Sequence, residues 1–109
     1  MKGIQMQSRT YKGAFGWKAE AVVNLTDTIR LCIVTMKRYN GALTTTVTGS
    51  KREGDYWYYT VLQDFNKTVL ATTPARVTQK TVEQQQDQAM GLIDAIVNDA
   101  SNFYKLETA

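Results

Sequence analysis

Between about Gln5 and Thr73 apolar and polar residues alternate with a period of two, and turn residues interrupt the alternation at regular intervals. That pattern predicts β-strands joined by tight turns. Lys18 to Leu25 sets Ala19, Ala21, Val23 and Leu25 against Lys18, Glu20, Val22 and Asn24, and Thr26-Asp27-Thr28 supplies a turn. Thr28 to Tyr39 is the next strand. It ends at Asn40-Gly41, a two-residue hairpin signal, because both central residues of a type I′ turn need positive φ. Ala42 to Arg52 returns, Glu53-Gly54-Asp55 fits a three-residue loop, and Tyr56 to Phe65 follows. Asn66-Lys67 leads to a short strand from Thr68 to Thr73, which Pro74 ends because proline cannot donate to a ladder. A weaker strand at Gln5 to Lys12 brings the total to five or six.

After Thr78 the period changes. Val82, Gln86, Ala89, Ile93, Ile96, Ala100 and Phe103 recur at spacings of four and three, which predicts one long amphipathic helix, or two consecutive helices separated near Asn98. Thr78 or Thr81 caps its start, with Gln84 completing a capping box if Thr81 is the cap. Gly91 costs a helix about 1 kcal/mol relative to alanine and marks a close contact or a kink. The run Gln84-Gln85-Gln86 carries no special role. The fold class is therefore α+β: an antiparallel β-meander (about 5–73) followed by C-terminal helix (about 78–106), in a single domain spanning 1–109.

Counting outward from the turns sets an expected register. A two-residue turn at Asn40-Gly41 pairs Arg38 with Leu43, Met36 with Thr45, Val34 with Val47 and Cys32 with Gly49. The 53–55 loop pairs Lys51 with Trp57, Gly49 with Tyr59 and Val47 with Val61. Cys32, Val34, Met36, Leu43, Val47, Trp57, Tyr59 and Val61 then form the face under the helix, with Tyr59 filling the space over Gly49 and Cys32 in the core. The opposite face holds Leu31, Ile33, Thr35, Lys37, Thr44, Thr46, Thr48, Tyr56, Tyr58, Thr60 and Leu62. Three uses for that face stay open: solvent, a second copy of the chain, or a ligand.

Charge and chemistry narrow the function. The net charge is +3, yet residues 1–52 carry nine basic and two acidic side chains while 53–109 carry four and eight. Such asymmetry suits either an anionic partner or a basic sheet neutralised by an acidic helix or a neighbouring subunit. The chain has no histidine and one cysteine, which removes the commonest general base and a cysteine zinc site. No phosphate loop, nucleophile elbow or paired-carboxylate motif is present. The expectation is a non-enzyme with no cofactor and no metal. A low net charge and the lack of an aromatic RNA-binding motif disfavour nucleic acid. No apolar run resembles an export signal or a membrane span, so the expected location is the cytoplasm, with no membrane partner.

Gly41-Ala42-Leu43-Thr44-Thr45, then Gln63-Asp64-Phe65, then Pro74-Ala75-Arg76-Val77-Thr78-Gln79-Lys80 opening a long helix, give residues 29–97 an order of elements that resembles small phage-encoded anti-Thoeris sponge proteins, which sequester cyclic ADP-ribose-type signals. The resemblance implies a non-catalytic homo-oligomer that encloses a small nucleotide at subunit interfaces, in the host cytoplasm if the chain is phage-encoded. Aromatic faces for adenine, cations for phosphate and hydroxyls for ribose make Arg30, Arg38, Tyr56, Tyr58, Phe65, Arg76 and Thr78 the candidate ligand residues. Arg76, just before a helix start, is the best anion contact among them. The alternatives are a protein-binding inhibitor acting through the exposed sheet face, or a nucleic-acid-binding module.

Overall fold

The computed structural model describes residues 6–14, 16–53, 56–58 and 65–106. Strands β1 (Met6–Gly13), β2 (Gly16–Asn24), β3 (Ile29–Lys37), β4 (Leu43–Glu53), β5 (Tyr56–Tyr58) and β6 (Asn66–Thr72) precede helices α1 (Gln79–Met90) and α2 (Ile93–Phe103). All pairings are antiparallel, in the order β1-β2-β3-β4-β5. β6 pairs with the first part of β4, from Thr72 opposite Leu43 to Asn66 opposite Thr48, while β5 pairs with its end. A bulge between Thr45 and Thr46 leaves Val69 as the extra residue on β6. Val69 and Leu70 both pack against the core. The expected α+β meander is thus present, but Val47 faces Lys67 rather than Val61, and residues 59–64, including Tyr59 and Val61, lie outside the described residues.

The β3–β4 register corrects the expectation. Arg38 pairs with Ala42 through a 2.7 Å bond from its N–H to the Ala42 carbonyl. Ladder partners from there are Lys37 with Leu43, Thr35 with Thr45, Ile33 with Val47 and Leu31 with Gly49. The loop has three residues, Tyr39-Asn40-Gly41. Gly41 takes its positive φ of 86° as the last of them, the form a glycine adopts when it closes a three-residue hairpin. One residue of slip reverses the face of a whole strand. Leu31, Ile33 and Thr35 are therefore fully buried under the helices, and Cys32, Val34 and Met36 lie half-buried on the other side. The second turn is likewise shifted by one: Lys51 faces Tyr58, and Arg52 faces Trp57.

The main core joins Ala21, Val23, Leu31, Ile33, Val47 and Phe65 of the sheet side to Ala89, Ile96, Val97 and Ala100 of the helices. Each fully buried Leu, Ile or Val contributes roughly 1.5–3 kcal/mol. A second cluster, Ala19, Leu43 and Val82 with Trp17 and Val77, seats the start of α1 at the hairpin end of the sheet. Between these clusters α1 docks through glutamines. Gln86 donates to the Ile33 carbonyl (3.0 Å) and accepts from the Thr35 hydroxyl (2.6 Å). Gln85 donates to the Leu43 carbonyl (2.8 Å) and to Thr45 Oγ1 (3.2 Å), and accepts from Thr72. The single Thr35 hydroxyl proton goes to Gln86, so Thr45 donates in the 2.6 Å Thr35–Thr45 bond. The chain of donors closes with both amides satisfied, as a buried polar group requires. The glutamine run, assigned no role by its pattern, is what orients α1.

Thr78 is the N-cap of α1. Its Oγ1 accepts from the Thr81 N–H (3.2 Å) and Thr81 Oγ1 accepts from the Thr78 N–H (2.8 Å), a reciprocal box that does not involve Gln84. The helix break falls at Gly91-Leu92, seven residues before the expected Asn98. Gly91 keeps a right-handed backbone (φ −65°), so the break comes from the tightened bond of Leu92 N–H to Ala89 C=O rather than from a glycine-only conformation.

Candidate functional site

Both helices cover one face of the sheet. The reverse face is a trough of about 510 Å³, with Lys18, Glu20 and Val22 of β2, every second residue of β3 from Arg30 to Met36, Arg38 just past its end, Thr46 and Thr48 of β4, and Asn66 and Thr68 of β6 along it. Alternation alone creates this surface: the even-numbered residues of β2 and β3 point here because their odd neighbours are buried. The floor is half apolar (Val22, Val34, Met36), and its β4–β6 side is a row of hydroxyls.

Electrostatics make the trough positive. Glu20, the one carboxylate among the described residues that line it, accepts from Arg9 Nε at 2.7 Å and from the Tyr11 hydroxyl at 3.4 Å. The Arg9 guanidinium also lies 4.7 Å from the centre of the Tyr11 ring, and the Glu20 hydrogen bond and charge hold its pKa above the ordinary arginine value. Lys18, Arg30 and Arg38 thus outnumber the carboxylate within the trough. Arg38 is held across the strands by Thr44 Oγ1 (2.8 Å from Nε) and Thr46 Oγ1 (3.3 Å from Nη2).

The candidate ligand residues do not form one cluster. Arg30 and Arg38 share the trough, at opposite ends of β3. Eight residues of strand separate them, about 26 Å at strand rise. Arg76 and Thr78 sit in the exposed loop and cap before α1, on the helix side of the sheet at the Arg38 end. The Thr78 hydroxyl is occupied by its cap, and the Arg76 carbonyl accepts from Thr81 at 3.3 Å. Phe65 is a core residue, 8% exposed and edge-on to Phe103 at 5.6 Å, so its ring offers no face to a ligand. Tyr56 and Tyr58 belong to β5 by backbone pairing, and their side chains lie outside the described ones. Lys18, Asn66 and Thr68 complete the trough and were not among the candidate ligand residues. The alternation of β2 carried the signal for Lys18, whereas Asn66 and Thr68 needed the pairing of β6 with β4. Among the described residues no group of histidine, cysteine, aspartate or glutamate side chains is arranged to hold a metal ion, and no helix is long and apolar enough to cross a membrane.

No protein-family model, no curated protein and no solved structure matches this chain.

Proposed function

We propose that this chain is a non-catalytic binding protein that holds a small nucleotide against the open face of its sheet. The single observation that carries the reading is the trough: about 510 Å³ of space, three cations to one carboxylate among its described residues, and threonine hydroxyls and an asparagine amide along one side. Cations meet phosphate, hydroxyls and amide meet ribose, and the Val34–Met36 floor meets a base. Arg38, already braced by two threonines, is the phosphate contact we favour. The resemblance to sponge proteins narrows the ligand to the cyclic ADP-ribose class and adds a second copy of the chain as the cover of the trough, whose half-apolar floor suits such a cover. It also places the action in host cytoplasm, as an anti-defence protein of a phage.

Thermal shift against a panel of cyclic and linear nucleotides tests the ligand. A rise in melting temperature is expected for at least one cyclic nucleotide and is expected to shrink in Arg38→Ala; no rise with any member of the panel overturns the reading. Light scattering tests the assembly, and a mass of 12.3 kDa, that of one chain, at micromolar concentration overturns the homo-oligomer.

A further inference from the structure

The sheet brings three separate segments to one end of the molecule. The β1–β2 hairpin, the β3–β4 hairpin and the connection from β6 into α1 all lie there, since antiparallel pairing returns each to the same edge and Val77 and Val82 pack on Trp17 and Leu43. Residues 11–18, 36–44 and 71–80 contain Lys12, Lys18, Lys37, Arg38, Arg76 and Lys80 and no carboxylate. A net charge of +3 for the whole chain understates this end, which is bordered by Glu20, 3.9 Å from Lys18, and by Glu83 in the next turn of α1. Aromatic rings stand among the cations. Tyr39, at the hairpin tip, is fully exposed. Two hollows adjoin here, one of about 280 Å³ walled by Tyr11, Trp17 and Lys18, and one of about 370 Å³ walled by Arg38 and Tyr39, with Met36 and Lys37 lining both.

We infer that this end is a second binding site, for single-stranded nucleic acid, in which the two hollows take successive bases and Lys37 and Arg38 take the phosphate between them. The exposed Tyr39 ring and the half-buried Trp17 beside cations suit unpaired bases, whose faces are free to stack, while the cations follow the backbone without reading sequence. Duplex DNA hides its base faces and is read by an element that enters a groove; here the surface is made of two hairpin tips and a loop. The site adjoins the nucleotide trough and shares Lys18, Met36 and Arg38 with it, but Lys12, Lys37 and Tyr39 belong to this end alone.

Fluorescence anisotropy with a labelled single strand of about 12 nucleotides, against the same sequence as duplex, tests the inference. The single strand is expected to bind more tightly. With about four phosphates neutralised, raising salt from 50 to 200 mM should weaken binding on the order of fiftyfold. Lys37→Glu should weaken it about tenfold or more and flatten the salt dependence. Tyr39→Ala should weaken it about tenfold and leave the salt dependence unchanged, as loss of one stacked base would. Both side chains are exposed, and circular dichroism verifies that the variants fold. No binding at 50 mM salt, tighter binding of the duplex, binding indifferent to both substitutions, or association with phosphatidylserine vesicles without oligonucleotide binding would each overturn it.

Discussion

The hydroxyl of Tyr104, just beyond α2, lies over the bare α-carbon of Gly49 in β4, where an added Cβ would overlap it and come within 3.2 Å of the Phe65 Cβ. The glycine is there to admit the ring. Gly49→Ala is expected to lower stability by about 1–3 kcal/mol through overpacking, read as a lower urea midpoint. Tyr104→Phe in the same background should recover part of the loss, since it deletes the overlapping oxygen. An alanine variant as stable as the parent would refute this packing.

Gln86→Leu removes the acceptor of the Thr35 hydroxyl and a donor to the Ile33 carbonyl beneath α1. A buried polar group stranded in this way costs about 1–3 kcal/mol. Equilibrium denaturation should show that loss, and amide exchange should quicken in α1. Gln84→Leu, on the exposed side of the same helix, is the control and should change stability by less than about 0.5 kcal/mol.

Thr78→Ala deletes one half of the capping box and should cost about 1 kcal/mol. It should leave any nucleotide-induced thermal shift unchanged in size, because the trough lies on the other face of the sheet. A reduced shift would restore Thr78 to the ligand set.

Two backbone positions invite opposite substitutions. Gly91 holds a right-handed conformation that alanine also adopts, but an added Cβ would lie 3.3 Å from the Gln88 carbonyl oxygen, so Gly91→Ala should gain less than the roughly 0.4–1 kcal/mol that limiting the unfolded chain supplies. Lys105 has a φ of 56° where the chain leaves α2, and the Leu106 N–H returns to the Ser101 carbonyl at 2.8 Å, a helix end that glycine favours. Lys105→Gly should raise the melting temperature, and a fall would count against the left-handed closure.

The elements themselves were legible from period and punctuation: the alternation of β2, the turn near Asn40-Gly41 and the helix start at Thr78 all appear close to their expected places. The register was not legible from the turn. Asn-Gly serves a two-residue loop, and glycine serves equally as the last residue of a three-residue one. Periodicity in β3 did not arbitrate, since Leu31 and Ile33 compete with Cys32, Val34 and Met36 for the buried side. The trough suffered from the same error. Its Thr46 and Thr48 were assigned to the open face, but Leu31, Ile33 and Thr35 were assigned there too, and all three are core. The helix break was expected near Asn98, although Gly91, marked as a close contact or a kink, is where it falls.

Thr35 and Thr45 can face one another beneath the two amides only in the alignment the strands adopt; a shift of one would put Met36 opposite Thr45, turn Thr35 toward the trough and take from Gln86 the hydroxyl that donates to it. The hairpin is therefore proofread by residues some forty to fifty positions downstream. Docking of α1 thus rewards this one alignment of β3 and β4, in addition to the restraint of the Gly41 loop.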